Sequence, residues 1–209
     1  MATLYQYYDC PYCLRVRAYL AERELAHVAN WVVRDLPPPE LLSLNPLGTL
    51  PIYVTDAGKP IFGSLTIVEF IEGSLGPALI PADPLQKARV AMAEQICNAA
   101  LLEPLLKLDR AMSGRDPDQW DLQVVRQEGH RVQRALAVFA ALLGQRQWLV
   151  GDSLTYADLC LAQPLSILER YGIDLQAHAG LKDLAERLWR RPSLVSARKS
   201  PEHNVDSRA

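Results

Sequence analysis

In this 209-residue chain, every strand-like segment precedes the Gly76-Pro77 step. Before that step, short aromatic or β-branched runs alternate with helical runs, in the order strand, helix, strand, helix, strand, strand, helix. After it, apolar residues recur at spacings of three and four, which is the period of an amphipathic helix. This division predicts an α/β unit followed by an all-helical unit.

The predicted elements of the α/β unit follow from period and turn residues. Strands are expected at 4–8, 28–33, 51–54 and 60–62, and helices at 11–21, 39–44 and 65–75. Asp56-Ala57-Gly58-Lys59 predicts a hairpin turn between the last two strands. Ser64 is expected to cap the last of these helices through its side-chain oxygen.

The rest of the chain predicts helices joined to the first unit by a proline-rich linker. The expected boundaries are a domain at 1–76, a linker at 77–84, a helical domain at 85–195 and a tail without a packed element at 196–209.

Within the helical domain, long helices are expected over 85–99 and 122–143, and a final one over 181–188. Thr155-Tyr156-Ala157-Asp158 has the capping-box pattern of a helix start, and Pro164 should kink the helix that follows.

Charge and composition restrict the class of protein. With 22 Lys+Arg against 24 Asp+Glu, the net charge of −2 gives no bulk attraction to nucleic acid or to an anionic membrane. The longest apolar stretch, Ala135 to Leu143, is about half the length of a membrane span, and the N-terminus has no signal-peptide pattern. We expect a cytoplasmic protein that has neither nucleic acid nor a membrane as a direct partner.

Two of the four cysteines form the motif Cys10-Pro11-Tyr12-Cys13, between the first strand and the first helix. A helix N-terminus favours the thiolate of Cys10, and Pro11 suits the first helical position. Cys13 follows about one turn later, so its thiol can reach a disulfide formed at Cys10. The pattern favours thiol–disulfide exchange, with Cys10 as attacking thiol and Cys13 as resolving thiol.

This cysteine pair has two other interpretations. A zinc site would need two more ligands, but Cys97 and Cys160 are isolated and the histidines lack ligand spacing, so no metal is expected. The pair could also be two inert packing cysteines, and that alternative stays open. Cys97 and Cys160, inside helical patterns, are expected to be buried as small apolar residues.

Two further positions have both a structural and a functional interpretation. A cis Leu50-Pro51 bond at the start of the third strand would leave the Leu50 N–H and C=O available to an extended peptide ligand. The helix that begins near Ser64 could likewise offer N–H groups to a ligand carboxylate.

Together, these motifs resemble the glutathione S-transferase superfamily over nearly the whole chain, and the Cys10 to Cys13 motif resembles two-domain glutaredoxins and omega-type transferases. The resemblance implies a thioredoxin-like N-terminal domain, an all-α C-terminal domain and glutathione as cosubstrate. It also implies that Cys10 forms a mixed disulfide with glutathione and that Cys13 can resolve it.

The resemblance also implies a glutathione-binding set. Leu50 would pair with the cysteinyl backbone of glutathione, and Ser64 would receive the γ-glutamyl carboxylate. The residues of this set are Pro11, Tyr12, Leu50, Pro51, Gly63 and Ser64. Gly63 stands where the family commonly has an acidic residue, and Leu44 where cysteine-type relatives often have lysine. We therefore expect weak glutathione affinity or a different thiol ligand.

Three functions follow as expectations. The first is a glutathione-dependent oxidoreductase that removes glutathione from glutathionylated substrates. The second is a transferase acting on an electrophilic substrate, with Tyr7 or Tyr8 activating the thiol. A homodimer is compatible with either.

The third expectation is non-enzymatic binding of RNA polymerase, because segment 35–46 also resembles stringent starvation protein A. That relative lacks the cysteine pair. It also has a proline-histidine-proline motif where this chain has Leu75-Gly76-Pro77-Ala78, and both differences favour catalysis.

Overall fold

The structure is a computed structural model that describes residues 1–33 and 38–198. The start of the 35–46 segment and residues 199–209 of the expected tail lie outside the described residues. The chain divides into two compact units. The first comprises the described residues of 1–80 together with 189–198, and the second is Pro81–Leu188.

The first unit contains a four-stranded mixed sheet. Its strands are β1 (Thr3–Gln6), β2 (Val28–Trp31), β3 (Ile52–Val54) and β4 (Pro60–Phe62), in the spatial order β2-β1-β3-β4. Strands β1 and β2 are parallel, whereas β1–β3 and β3–β4 are antiparallel. The arrangement confirms the predicted α/β class, and β4 has the predicted bounds.

Three helices complete the N-terminal part of this unit: α1 (Pro11–Glu22), α2 (Leu41–Leu44) and α3 (Ser64–Leu75). The expectation that Ser64 caps α3 is wrong, because Ser64 is the first helical residue and Gly63 occupies the capping position. Gly63 has a φ of 88°, a left-handed conformation that a residue with a Cβ adopts only with strain.

The second unit is helical, as predicted. Its helices are α4 (Pro84–Ile96), a π-helical turn (Cys97–Leu102), α5 (Glu103–Met112), a 3₁₀ turn (Pro117–Gln119), α6 (Leu122–Leu143), α7 (Tyr156–Ile167), a second 3₁₀ turn (Leu168–Tyr171) and α8 (Ala179–Trp189). The bounds of α6 are those predicted, and Pro164 lies inside α7.

The apolar spacing predicts that this helix ends near residue 99, whereas the chain stays helical to Met112 through the π-helical turn. Pro104 follows that turn as the second residue of α5. A proline lacks an N–H to donate, so it fits where the regular α-helical bonding has already been interrupted.

A last helix, α9 (Pro192–Ala197), was not predicted, and it belongs to the first unit although the expected helical domain ran to residue 195. Arg191 places it against α1 by donating to both oxygens of Glu22, at 2.6 and 2.8 Å. No described helix is both long enough and apolar enough to cross a membrane.

Candidate active site

Cys10 occupies the N-cap position of α1, immediately after β1 and its turn. Its backbone is extended, with φ −83° and ψ 122°, and Pro11 is the first helical residue. The Cys13 main-chain N–H donates to the Cys10 sulfur across 3.4 Å. The sulfur therefore takes the place of the side-chain oxygen that usually caps a helix.

This placement lowers the pKa of the Cys10 thiol to about 7. The largest cause is the hydrogen bond from the Cys13 side chain, and the main-chain N–H groups of Cys13 and Tyr12 act in the same direction. The positive charge of Arg15 lowers the pKa further, while burial opposes all of these effects. A substantial fraction of Cys10 is thiolate at neutral pH as a result.

Cys13 has the opposite environment, although it lies only three residues along the same helix. It is fully buried, and this burial raises its pKa well above the ordinary value. The neighbouring Cys10 raises the pKa again, because a thiolate at Cys10 disfavours a second negative charge. The two thiols thus divide into one that ionises easily and one that stays protonated.

Two arginines of α1, Arg15 and Arg17, hold this helix start in place. Arg15 is fully buried, and its guanidinium lies 4.8 Å from the centroid of the Tyr12 ring. Arg17 donates to the carbonyl oxygens of Tyr7 and Tyr8 at 3.1 and 2.9 Å, just before the active-site motif. The sequence alone does not give the direction of either side chain, because that direction depends on what the helix packs against.

Leu50 lies in the same buried cluster as Cys10 and Cys13, with Tyr7 and Tyr12 packed against it. The Leu50–Pro51 peptide bond is cis. Among the residues that the structure describes, the Leu50 N–H and C=O have no hydrogen-bond partner. This main-chain segment can therefore accept an extended peptide.

Ser64 is buried in the same unit, as the first residue of α3. Its hydroxyl has no hydrogen-bond partner within the described ranges. Leu44, at the position of the expected lysine, packs against the cysteine cluster as an apolar residue. The structure thus brings Leu50 to the cysteines and places Ser64 at the start of α3.

Tyr7 and Tyr8 lie beyond the end of β1, in the turn that leads to Cys10. Tyr7 packs against the cysteine cluster, whereas Tyr8 is partly exposed and its hydroxyl donates to the Arg198 carbonyl at 2.9 Å. The Tyr8 hydroxyl therefore has a structural partner near the end of α9.

No group of three or more metal-ligating side chains occurs among the described residues.

Comparisons with known proteins agree with the fold. The description "Glutathione S-transferase, N-terminal domain" matches residues 9–74, and "Glutathione S-transferase, C-terminal domain" matches residues 108–192. The chain belongs to the glutathione S-transferase family.

Among the relatives of this glutathione S-transferase family member is maleylacetoacetate isomerase of Pseudomonas aeruginosa. It is 32% identical over 203 residues, which cover 93% of this chain and 94% of that protein. Maleylacetoacetate isomerase maiA of Aspergillus fumigatus is 28% identical over 201 residues, covering 89% and 85% of the two chains.

A glutathione S-transferase of Methylobacterium radiotolerans, solved in complex with glutathione sulfonate, has a similar structure. Its TM-score is 0.80 at 26% identity, and the match covers 94% of this chain and 93% of that one. These likenesses support the fold and the family along nearly the whole described chain.

Proposed function

We propose that this protein is a glutathione-dependent thiol–disulfide oxidoreductase that removes glutathione from mixed disulfides. The observation that carries the proposal is the Cys10 thiol at the start of α1, with its pKa lowered to about 7 and a second thiol one turn below. A thiol whose pKa lies near ambient pH combines a high thiolate fraction with good nucleophilicity.

Glutathione is the proposed ligand because the family and the Methylobacterium radiotolerans neighbour point to it. The unpartnered main-chain groups of Leu50 would pair with the cysteinyl part of the tripeptide, as two strands do. The start of α3, where Ser64 lies, would receive the γ-glutamyl carboxylate. Gly63 and Leu44 supply no charge, so weak affinity remains the expectation.

The proposed reaction consists of two thiol–disulfide exchanges and needs neither a metal nor another redox group. The Cys10 thiolate attacks the glutathione sulfur of a mixed disulfide, forming a Cys10–glutathione disulfide and releasing the substrate thiolate, which takes a proton from solvent. A second glutathione thiolate then attacks the glutathione sulfur on Cys10. Oxidised glutathione leaves, and the Cys10 thiolate is restored.

The environment of Cys13 favours this release by a second glutathione over internal resolution. Resolution by Cys13 would require its thiolate, but its pKa is raised by burial and by Cys10. The buried thiol is also shielded from solvent bases. We therefore propose that Cys13 acts mainly as the donor that steadies the Cys10 thiolate.

The test is reduction of a glutathionylated peptide with glutathione as reductant, compared among Cys10→Ser, Cys13→Ser and Cys160→Ser variants. Cys10→Ser should remove the activity, Cys13→Ser should retain most of it, and Cys160→Ser, which changes a buried sulfur elsewhere, should resemble the unmodified protein. Full activity in Cys10→Ser would reject the proposal.

A second candidate, maleylacetoacetate isomerisation, is favoured by the Pseudomonas aeruginosa relative, which this chain matches over 94% of that protein's length. Cis–trans isomerisation of a conjugated alkene needs a nucleophile that adds and then leaves. A glutathione thiolate held at the N–H groups of α1 could supply it without a covalent bond to Cys10.

One variant separates the two candidates. Serine at position 10 keeps a hydrogen-bonding group at the start of α1 but cannot form a disulfide. Cys10→Ser should therefore retain glutathione-dependent isomerisation of maleylacetone under the second candidate, whereas under the first it loses its only activity. The transferase function through Tyr7 or Tyr8, RNA polymerase binding and the homodimer stay predictions.

A further inference from the structure

Helix α9 lies against α1 within the first unit and is bonded to it at two places. At the last residue of α1, both oxygens of Glu22 accept from Arg191, and the Ser193 hydroxyl donates to the same carboxylate. Nearer the start of α1, the Arg17 Nε–H donates to the Ala197 carbonyl at 2.8 Å. The last described helix of the chain is thus attached along α1, the helix that begins at the active-site motif.

Arg17 joins α9 to the turn that leads into Cys10. Besides its bond to Ala197, the guanidinium donates to the main-chain oxygens of Tyr7 and Tyr8 at 3.1 and 2.9 Å. These two residues lie between the end of β1 and the N-cap of α1, so a side chain supplies the donors that a strand or a helix would otherwise provide. One side chain therefore fixes the segment that sets the position of Cys10.

A second bond connects the same turn with the end of α9. The Tyr8 hydroxyl donates to the Arg198 carbonyl at 2.9 Å, one residue beyond the helix. Arg17 itself is only 7% exposed, and it also donates to Oε1 of the fully buried Gln6 at 3.1 Å. Hydrogen bonds that are shielded from water are stronger than exposed ones, so Arg17 holds the turn firmly.

Arg17 also has a charge of the sign that favours a thiolate. Burial lowers the pKa of Arg17, while negative charge on Cys13 and Cys10 raises it. This attraction is mutual, so the guanidinium favours the ionised form of Cys10 in turn. The hydrogen bonds of Arg17 depend on α9 as well, whereas its charge does not, and this difference allows the two effects to be separated.

We propose that Arg17 is a positioning residue for the Cys10 thiol and that α9 holds Arg17 in the required orientation. This inference rests on the function proposed for Cys10 and adds two parts to its site. Arg17 acts through the main chain of residues 7 and 8, and the Ala197 carbonyl at the end of α9 supplies the acceptor that orients it. Loosening of α9 should therefore raise the pKa of Cys10 although no contact of the sulfur is changed.

The first test is Arg17→Lys in the full chain, with alkylation of Cys10 by iodoacetamide followed against pH. Lysine keeps the charge, but its ammonium lacks the planar fork that bonds several carbonyls at once. The midpoint for Cys10 should rise from about 7 by about 0.5 pH units or more, and the rate at pH 7 should fall about twofold. An unchanged midpoint would mean that only the charge matters, and it would overturn the inference.

The second test loosens α9 at a distance from the thiol. Glu22→Ala removes the acceptor of Arg191 and Ser193, about 18 Å along α1 from Cys10, and the midpoint should rise by about 0.3 pH units. Loss of a carboxylate alone would favour the thiolate and lower the midpoint, so a rise has the sign that only loosening of α9 produces.

Glu24→Gln is the matched control, because it removes the same charge two residues further on from an exposed side chain. Its midpoint should stay within about 0.1 pH units of that of the unmodified chain. A midpoint in Glu22→Ala that is unchanged or lowered, or one that shifts equally in both variants, would overturn the role of α9.

Alkylation needs no glutathione, so these measurements can fail separately from the proposed function. Reduction of the glutathionylated peptide at pH 7 should fall in step with alkylation in Arg17→Lys. Absent peptide reduction in the unmodified chain, with the midpoints shifting as expected, would reject the oxidoreductase function and keep the positioning of Cys10. Unchanged midpoints in an active enzyme would reject the positioning alone.

Discussion

The first main-chain N–H groups of a helix have no acceptor within the helix, and the N-termini of α1 and α7 supply one with different atoms. Helix α7 begins with the Thr155–Asp158 capping box, in which one oxygen of Asp158 accepts from the Thr155 N–H and hydroxyl at 2.8 and 2.9 Å. The other oxygen accepts from the Leu149 N–H at 2.8 Å. Helix α1 begins instead with the Cys10 sulfur, which accepts one N–H at 3.4 Å.

The difference shows what each helix start does. Oxygen is a strong acceptor, so the α7 cap satisfies its donors and stabilises the fold. Sulfur is a weak acceptor, and it becomes a better one only as a thiolate. The weaker cap at α1 therefore keeps donors available for negative charge, which is the property that thiol chemistry requires.

The largest expected effect separates activity from stability at α1. Cys10→Ala should lower reduction of a glutathionylated peptide by at least about 1,000-fold, because it removes the nucleophile. The matched change Cys97→Ala, at a buried sulfur that donates to the Cys160 carbonyl, should leave the rate within about twofold. Comparable losses in both variants would mean that sulfur position does not determine the chemistry.

The corresponding change at α7 should affect stability instead. Asp158→Ala leaves three donors without their acceptor in the buried interior, so the free energy of unfolding should fall by about 3 kcal/mol in urea denaturation. Asp152→Ala, an exposed neighbour, serves as control and should change it by less than about 0.5 kcal/mol. A small effect of Asp158→Ala would remove the contrast between the two helix starts.

An intermediate effect is expected at the third residue of α1. Cys13→Ala removes the hydrogen bond that lowers the Cys10 pKa most, so this pKa should rise from about 7 toward the ordinary thiol value. Since the thiolate is the reacting form, alkylation of Cys10 at neutral pH should slow roughly tenfold and regain its rate at higher pH.

Cys13→Ser is the control for that measurement. It retains a side-chain donor and should show a smaller shift of the pH profile. Identical profiles for the alanine variant and the unmodified protein would show that Cys13 does not support the thiolate.

The smallest expected effect is on the free energy of unfolding when an oxygen replaces the Cys10 sulfur at the N-cap of α1. Cys10→Ser introduces a preferred capping oxygen, so the free energy of unfolding should rise by roughly 0.5 kcal/mol. Destabilisation in this variant would indicate that the sulfur is the better cap in this packing.

Local signals in the sequence predicted much of this arrangement. The Asp56-Ala57-Gly58-Lys59 turn preceded β4, and the long apolar repeat gave α6, so both have the predicted bounds. The capping box of α7 and the cysteine motif of α1 are likewise short patterns whose partners lie within a few residues. Such short patterns can be recognised in the sequence without knowledge of the tertiary structure.

The features that the sequence did not reveal depend on distant partners. Helix α9 has only six residues and is held by Glu22, far away along the chain. The expected β1 strand ran to residue 8 but ends at Gln6, where Arg17 bonds the carbonyls of the next two residues. The role of Arg17 was equally hidden, because a helix residue's direction is set by what the helix packs against.

The most direct test of the account is the rate of Cys10 alkylation by iodoacetamide as a function of pH, followed by peptide mass spectrometry. The account predicts a midpoint near pH 7 for Cys10. Cys97 and Cys160, which are buried, should react slowly throughout. A midpoint for Cys10 at or above the ordinary thiol pKa of about 8.5 would contradict the central claim that the start of α1 stabilises its thiolate.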